Sequence, residues 1–210
     1  MNFQVNKEDW SQLLKDKVPE RALSYCYTLW EEEPFSFTIS RSRSSKLGDF
    51  RYRSDQKIQK ITINHDLNPY QFLITFIHEV AHHRVYSRYK TNTKPHGQEW
   101  KSTFRFLMGP VLHDRVFPKD ILIPLRLHMN NPKASTGADF FLMKELKKYD
   151  AAKGSDGALL LGDLKIGALF ELKARIFLKL ETRRTRVLCK EVATGKRYLI
   201  SSHAEVELQD

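Results

Sequence analysis

A chain of 210 residues with 41% hydrophobic content can bury one sizeable core and leave material for a smaller second unit. Its 35 Lys and Arg outnumber 25 Asp and Glu, a formal charge of +10 that favours polyanionic surroundings without establishing them. Two cysteines, Cys26 and Cys189, exclude a disulfide framework; no signal-like start and no uncharged run of membrane-spanning length is visible, so a cytoplasmic protein with no membrane partner is expected.

Trp10, Leu13 and Leu14, then Ala22, Leu23, Tyr27 and Trp30, recur at helical spacing on either side of Pro19 and predict two short helices. Pro34 ends them, and Phe35, Phe37 and Ile39 alternate with polar residues as a half-buried strand does. After a polar loop at 40–46, residues 50–53 and 58–63 read as two strands of a hairpin, so a small antiparallel sheet is expected. Asn68 and Pro69 then mark a helix start, as N-cap and first-turn proline, for a strongly apolar helix running from 70 to about 89. Residues 90–95 break it. A further helix at 97–108 places Trp100, Phe104 and Leu107 on one face and stops at Gly109-Pro110. Residues 130–137 and 151–157 read as linker flanking a short helix at 139–149. Five short strands at 164–172, 175–180, 186–192, 197–200 and 204–208, with a turn at Thr194-Gly195, predict a small SH3-like β-barrel.

The basic excess is clustered. Residues 41–60 hold seven basic residues against Asp49 and Asp55, and residues 165–197 hold ten against three glutamates. Within the second cluster Arg183, Arg184 and Arg186 are candidates for phosphate contact, against the plainer reading of a solvated basic loop.

Residues 78–82, HEVAH, carry the chemistry. A helix turns every 3.6 residues, so His78 and His82 project from one face, one turn apart, as two imidazole ligands of one zinc must. Glu79 falls about 100° round the helix, within reach of a metal-bound water without being a ligand, while Phe76, Ile77, Val80 and Ala81 bury the remaining faces. A catalytic zinc takes a third protein ligand and keeps one position for water. His96, beyond the 90–95 loop and beside Gly97, suits that role; His65, His83, His113, His128, His203 and Glu99 are the other candidates.

SKLGDF at 45–50, ITIN at 61–64, HEVAH at 78–82 and HGQEWK at 96–101 together resemble the SprT-like metallopeptidase family, over residues 19–109. The resemblance implies an α+β fold, a zincin-like helical catalytic domain with the small antiparallel sheet, here at 1–130; beyond it the residues themselves read as linker with a short helix at 131–157 and a small all-β domain at 158–210. It implies one zinc ion on His78, His82 and His96, with Glu79 catalytic, and a protein or peptide substrate near or crosslinked to DNA, with DNA a possible partner. Many chains of this kind end in a four-cysteine zinc ribbon; only Cys189 lies in this C-terminus, so no second zinc is expected. The alternative reading is a zinc-containing nucleic-acid or protein binding module with little turnover. An intact Glu79 argues for the enzyme, and a fourth protein ligand would argue for a structural site.

Overall fold

The computed structural model describes residues 7–43, 45–134, 139–150 and 159–209. The chain divides into two compact units, Met1–Ala134 with Lys148–Asp150, and Ser135–Lys147 with Ala151–Asp210.

The first unit opens with α1 (Lys7–Leu14) and α2 (Leu23–Glu32), the two helices read around Pro19. Strands β1 (Ser36–Ser40), β2 (Gly48–Arg51) and β3 (Lys60–Asn64) form a three-stranded sheet in the order β1-β3-β2. The β2–β3 pair is the expected antiparallel hairpin, with Phe50 opposite Ile61. The sheet as a whole is mixed, because β1 runs parallel to β3 with Phe37 opposite Ile61. An alternating pattern reports which face is buried and not the direction in which a strand pairs, so the expectation of a wholly antiparallel sheet fails here.

Helix α3 (Pro69–Tyr89) starts as its sequence dictates: Asn68 accepts from the Gln71 backbone N–H at 2.9 Å, and Pro69 occupies the first turn. From Gln71 to Val85 almost every side chain is buried, so α3 is the axis of the unit and not a one-sided surface helix. One side meets an aromatic cluster in which Trp10, Phe35, Phe37 and Phe76 lie within 5.4–6.4 Å of one another. Arg84, buried near its C-terminal end, donates to the Leu29 carbonyl at 2.8 Å and pairs with Glu32 at 2.9 Å and with Glu33, tying α2 to α3. Helix α4 (Gln98–Met108) packs Trp100, Phe104 and Leu107 inward. Helix α5 (Lys119–Asn130) was not legible in the sequence, since Pro124 lies inside it and apolar Ile123 and Leu127 face solvent opposite the buried Ile121, Leu125 and Met129.

In the second unit α6 (Phe140–Lys147) accompanies strands β4 (Leu159–Leu160), β5 (Leu169–Leu172), β6 (Arg175–Thr182), β7 (Arg186–Glu191), β8 (Arg197–Ser201) and β9 (Glu205–Gln209). They form one antiparallel sheet in the order β4-β9-β5-β6-β7-β8. Among the described residues no ladder joins β8 to β4, so the expected barrel is an open sheet. Its core is Leu161, Phe170, Phe177, Val187 and Cys189. Lys179, 1% exposed, donates to the carbonyls of Leu161, Gly162 and Leu164 at 2.9, 3.1 and 2.7 Å, which pins the segment after β4 to β6. The linker expected at 151–157, and residues 135–137 of that expected at 130–137, lie outside the described residues. No helix among the described residues is long and apolar enough to cross a membrane.

Candidate metal centre

His78 and His82 project from α3 one turn apart, and the chain that leaves α3 at Lys90 returns His96 to the same point. The three Nε2 atoms stand 3.2 Å (His78 to His82), 2.9 Å (His82 to His96) and 3.2 Å (His78 to His96) apart. Zinc takes imidazole nitrogens at about 2.0–2.1 Å, and tetrahedral angles then separate them by about 3.3–3.4 Å. The triangle is therefore sized for three imidazoles to share one such ion. Protons alone explain it poorly, because each nitrogen offers either a hydrogen or a lone pair and three converging atoms cannot all be satisfied.

The return of His96 is built locally. Its φ is +57°, a left-handed conformation that is uncommon for a residue with a side chain, although histidine is among those that enter it most readily. The Gly97 N–H donates to the Lys94 carbonyl at 2.9 Å, and a Cβ at Gly97 would stand 2.9 Å from that same oxygen, so the position after His96 excludes a side chain. Trp100, one turn into α4, then walls the cluster: its ring lies 4.6, 5.4 and 4.8 Å from the rings of His78, His82 and His96, and its Nε1 donates to the His78 carbonyl at 3.4 Å. The tryptophan thus supports all three rings.

Burial holds all three imidazoles below their ordinary pKa, His82 down to about 3, with mutual repulsion of their charged forms adding to the effect at His78 and His82. They are neutral at pH 7, the form in which a histidine nitrogen binds a metal. His128, buried on α5, adds to the depression at His78. Among the described residues the metal-capable cluster is His78, His82 and His96, without His65, His83, His113, His128, His203 or Glu99.

Glu79 points elsewhere on α3, toward β2. It is buried; burial raises its carboxyl pKa to about 8, the neighbouring Asp49 adds to the rise, and a hydrogen bond from the Phe50 backbone with the charges of Arg43 and Lys46 opposes it. Gly48 makes this possible, because a Cβ there would stand 2.7 Å from Glu79 Oε1 and 2.7 Å from Thr75 Cγ2. Asn64, at the end of β3, holds the loop leading to Gly48: its Nδ2 donates to the carbonyls of Arg43 and Lys46 at 3.1 and 2.9 Å, and its Oδ1 accepts from Arg43 Nε at 2.7 Å. Sequence reasoning gave neither Gly48 nor Asn64 a role, although both lie in segments that carry the resemblance.

The sequence profile of the SprT-like family matches residues 11–116, the segment that contains the end of α1, α2 to α4, the three-stranded sheet and every histidine of the cluster. The chain belongs to the SprT-like family. Searches of curated proteins and of solved structures returned no match. The SprT-like segment ends before α5, so the second unit is an addition to it. Arg183, Arg184 and Arg186 belong to that second unit, at the β6–β7 turn. Arg183 is engaged by Glu181 at 3.3 Å, and all three side chains are largely exposed.

Proposed function

We propose that this SprT-like chain is a cytoplasmic, zinc-dependent endopeptidase, with His78, His82 and His96 holding the ion and Glu79 as general base. The observation that carries the reading is the convergence of three neutral Nε2 atoms within 3.2 Å of one another, two of them on the helix that also carries the buried Glu79. When bound, zinc supplies Lewis acidity that brings the pKa of a water to about 7 and polarises a carbonyl. Three ligands, with no fourth among the described residues, leave a position for substrate chemistry, which a closed structural site does not.

The chain's own groups divide the remaining work. Glu79, held beside β2 by the Phe50 backbone and by the absence of a side chain at Gly48, takes the proton of the attacking water and passes it to the leaving amine. Burial raises its pKa in the metal-free chain, and a dication bound nearby would favour the ionised base. Among the described residues β2 is an edge strand of its sheet, so its outer main-chain groups are available to an extended peptide. Proteins bound or crosslinked to DNA are the substrate class we favour, on the family resemblance and the +10 charge, with Arg183, Arg184 and Arg186 as phosphate contacts.

Zinc content and cleavage of casein, with and without single-stranded DNA, test this in wild type and Glu79→Gln. One zinc per chain in both proteins, with cleavage in wild type alone, is the expected result, and stimulation by DNA supports the substrate class. Metal without cleavage in wild type would leave a binding module, and absence of zinc would sink the reading.

A further inference from the structure

The face of α3 that carries Glu79 runs on past the histidines in step with β2. Gly48 stands over Thr75 and Glu79, the Phe50 ring lies 5.8 Å from both His83 and Tyr86, and Tyr52 stacks on Tyr86 at 4.8 Å. Two strand residues advance about 6.6 Å and a helical turn about 5.4 Å, which keeps the two elements matched over this length.

Where the ladder ends, a cleft of about 780 Å³ opens between the chain after β2 and the C-terminal part of α3, within the range of about 300–1,000 Å³ usual for ligand sites. Tyr52, 50% exposed, and Tyr86 form an aromatic wall, with the Lys90 ammonium 5.3 Å from the Tyr86 ring centre. Glu33 and His83 also line the cleft. His83 Nδ1 is buried with no hydrogen-bond partner among the described residues, and its 3.9 Å separation from the Glu33 carboxylate is too long for a hydrogen bond. An unpaired buried polar atom is costly, and a group entering the cleft would pair it.

Lys57 and Lys90 line the cleft and Glu33 is ion-paired with Arg84, so charge does not separate peptide from nucleic acid; position favours peptide. The cleft continues the line of β2: Tyr52 lies four residues after Gly48, about 13 Å along the strand, so a peptide extended over Glu79 reaches it with a residue three or four positions from the reacting bond.

Resting on the peptidase reading above, we propose that this cleft is a substrate subsite for an aromatic side chain three or four residues from the scissile bond. The ring lies against Tyr52 and Tyr86, and a hydrogen-bonding group of the same residue or its neighbour meets His83 Nδ1. The full chain carrying Glu79→Gln, which cannot cleave under that reading, is titrated calorimetrically with a six-residue peptide containing one phenylalanine, with its alanine counterpart and with a six-nucleotide thymidine strand. Zinc-loaded wild type and Tyr52→Ala are given a randomised peptide library, and the cuts are mapped by mass spectrometry. The phenylalanine peptide is expected to bind at least tenfold tighter than the alanine peptide, a preference that adding Tyr52→Ala removes. Wild-type cuts are expected to show aromatic enrichment at one fixed position three or four residues from the bond, lost in Tyr52→Ala. Equal binding of the two peptides, or an oligonucleotide that alone depends on Tyr52, overturns the subsite. A phenylalanine peptide that binds through Tyr52 while wild type cuts nothing supports the cleft as a peptide site and sinks the peptidase reading.

Discussion

Replacing Gly48 with alanine adds one methyl at the point where β2 crosses the helix of the candidate base. That carbon would stand 2.7 Å from Glu79 Oε1, 2.7 Å from Thr75 Cγ2 and 2.9 Å from Glu79 Cγ. Ordinary contacts need about 3.5 Å, so roughly 0.6–0.8 Å must be found. The strand is held by its ladder to β3 and α3 is buried along most of its length, which leaves the Glu79 carboxylate as the part that can swing. Overpacking of this kind costs about 1–3 kcal/mol of stability. A base displaced by about 1 Å loses on the order of 100-fold in rate. We expect Gly48→Ala to bind zinc as wild type does, to melt several degrees lower, and to lose 10- to 100-fold in kcat with little change in KM. Zinc content, calorimetry and steady-state cleavage of one peptide measure all three. A variant with wild-type kcat would refute the claim that the bare backbone at residue 48 places Glu79.

Glu79 also sets a pH dependence for the metal-free chain. Its carboxyl is raised from 4.5 to about 8, so the stability it contributes is full below about pH 4.5 and is lost as pH rises through 8. Metal-free Glu79→Gln should therefore gain on wild type between pH 5 and 9, by up to about 5 kcal/mol, in parallel urea melts; equal pH profiles would exclude the buried, proton-binding Glu79. Trp100→Leu removes the wall shared by the three imidazoles and should weaken zinc binding about 10- to 100-fold, read by competition with a chromophoric chelator. Unchanged affinity would assign the ring to packing alone. The β5–β6 turn places both Lys173 and Ala174 at positive φ, +54° and +57°. Lys173→Asn with Ala174→Gly, suited to such a two-residue turn, should stabilise the chain by about 1 kcal/mol, and a lower melting temperature would contradict the turn geometry.

What could be read in advance follows the range of the interactions involved. The Asn68 cap, the pairing of His78 with His82 and the offset of Glu79 all depend on residues within one or two turns, where the 3.6-residue period decides geometry before any tertiary contact forms. The β6, β7 and β8 strands were legible because alternation and the Thr194-Gly195 turn, with Gly195 at φ +70°, are equally local. Helix α5 escaped because Pro124 argued against it and its exposed Ile123 and Leu127 blurred the apolar stripe. The expected barrel was not legible for a different reason: strand count does not say whether the edges meet, and among the described residues no ladder joins β8 to β4.

By itself, then, the sequence determined two histidines on one helical face, a carboxylate beside them, and the helix that carries all three. Tertiary structure decided which histidine joins them, since His96 was one of several candidates until its left-handed backbone and Trp100 brought its Nε2 to 2.9 Å from that of His82. It also decided that β1 runs parallel to β3, that Gly48 is the residue facing Glu79, and that Tyr52 meets Tyr86 beyond it. Each of these joins residues separated by at least a loop, and such contacts are selected by the packing of whole elements, for which local periodicity carries no signal.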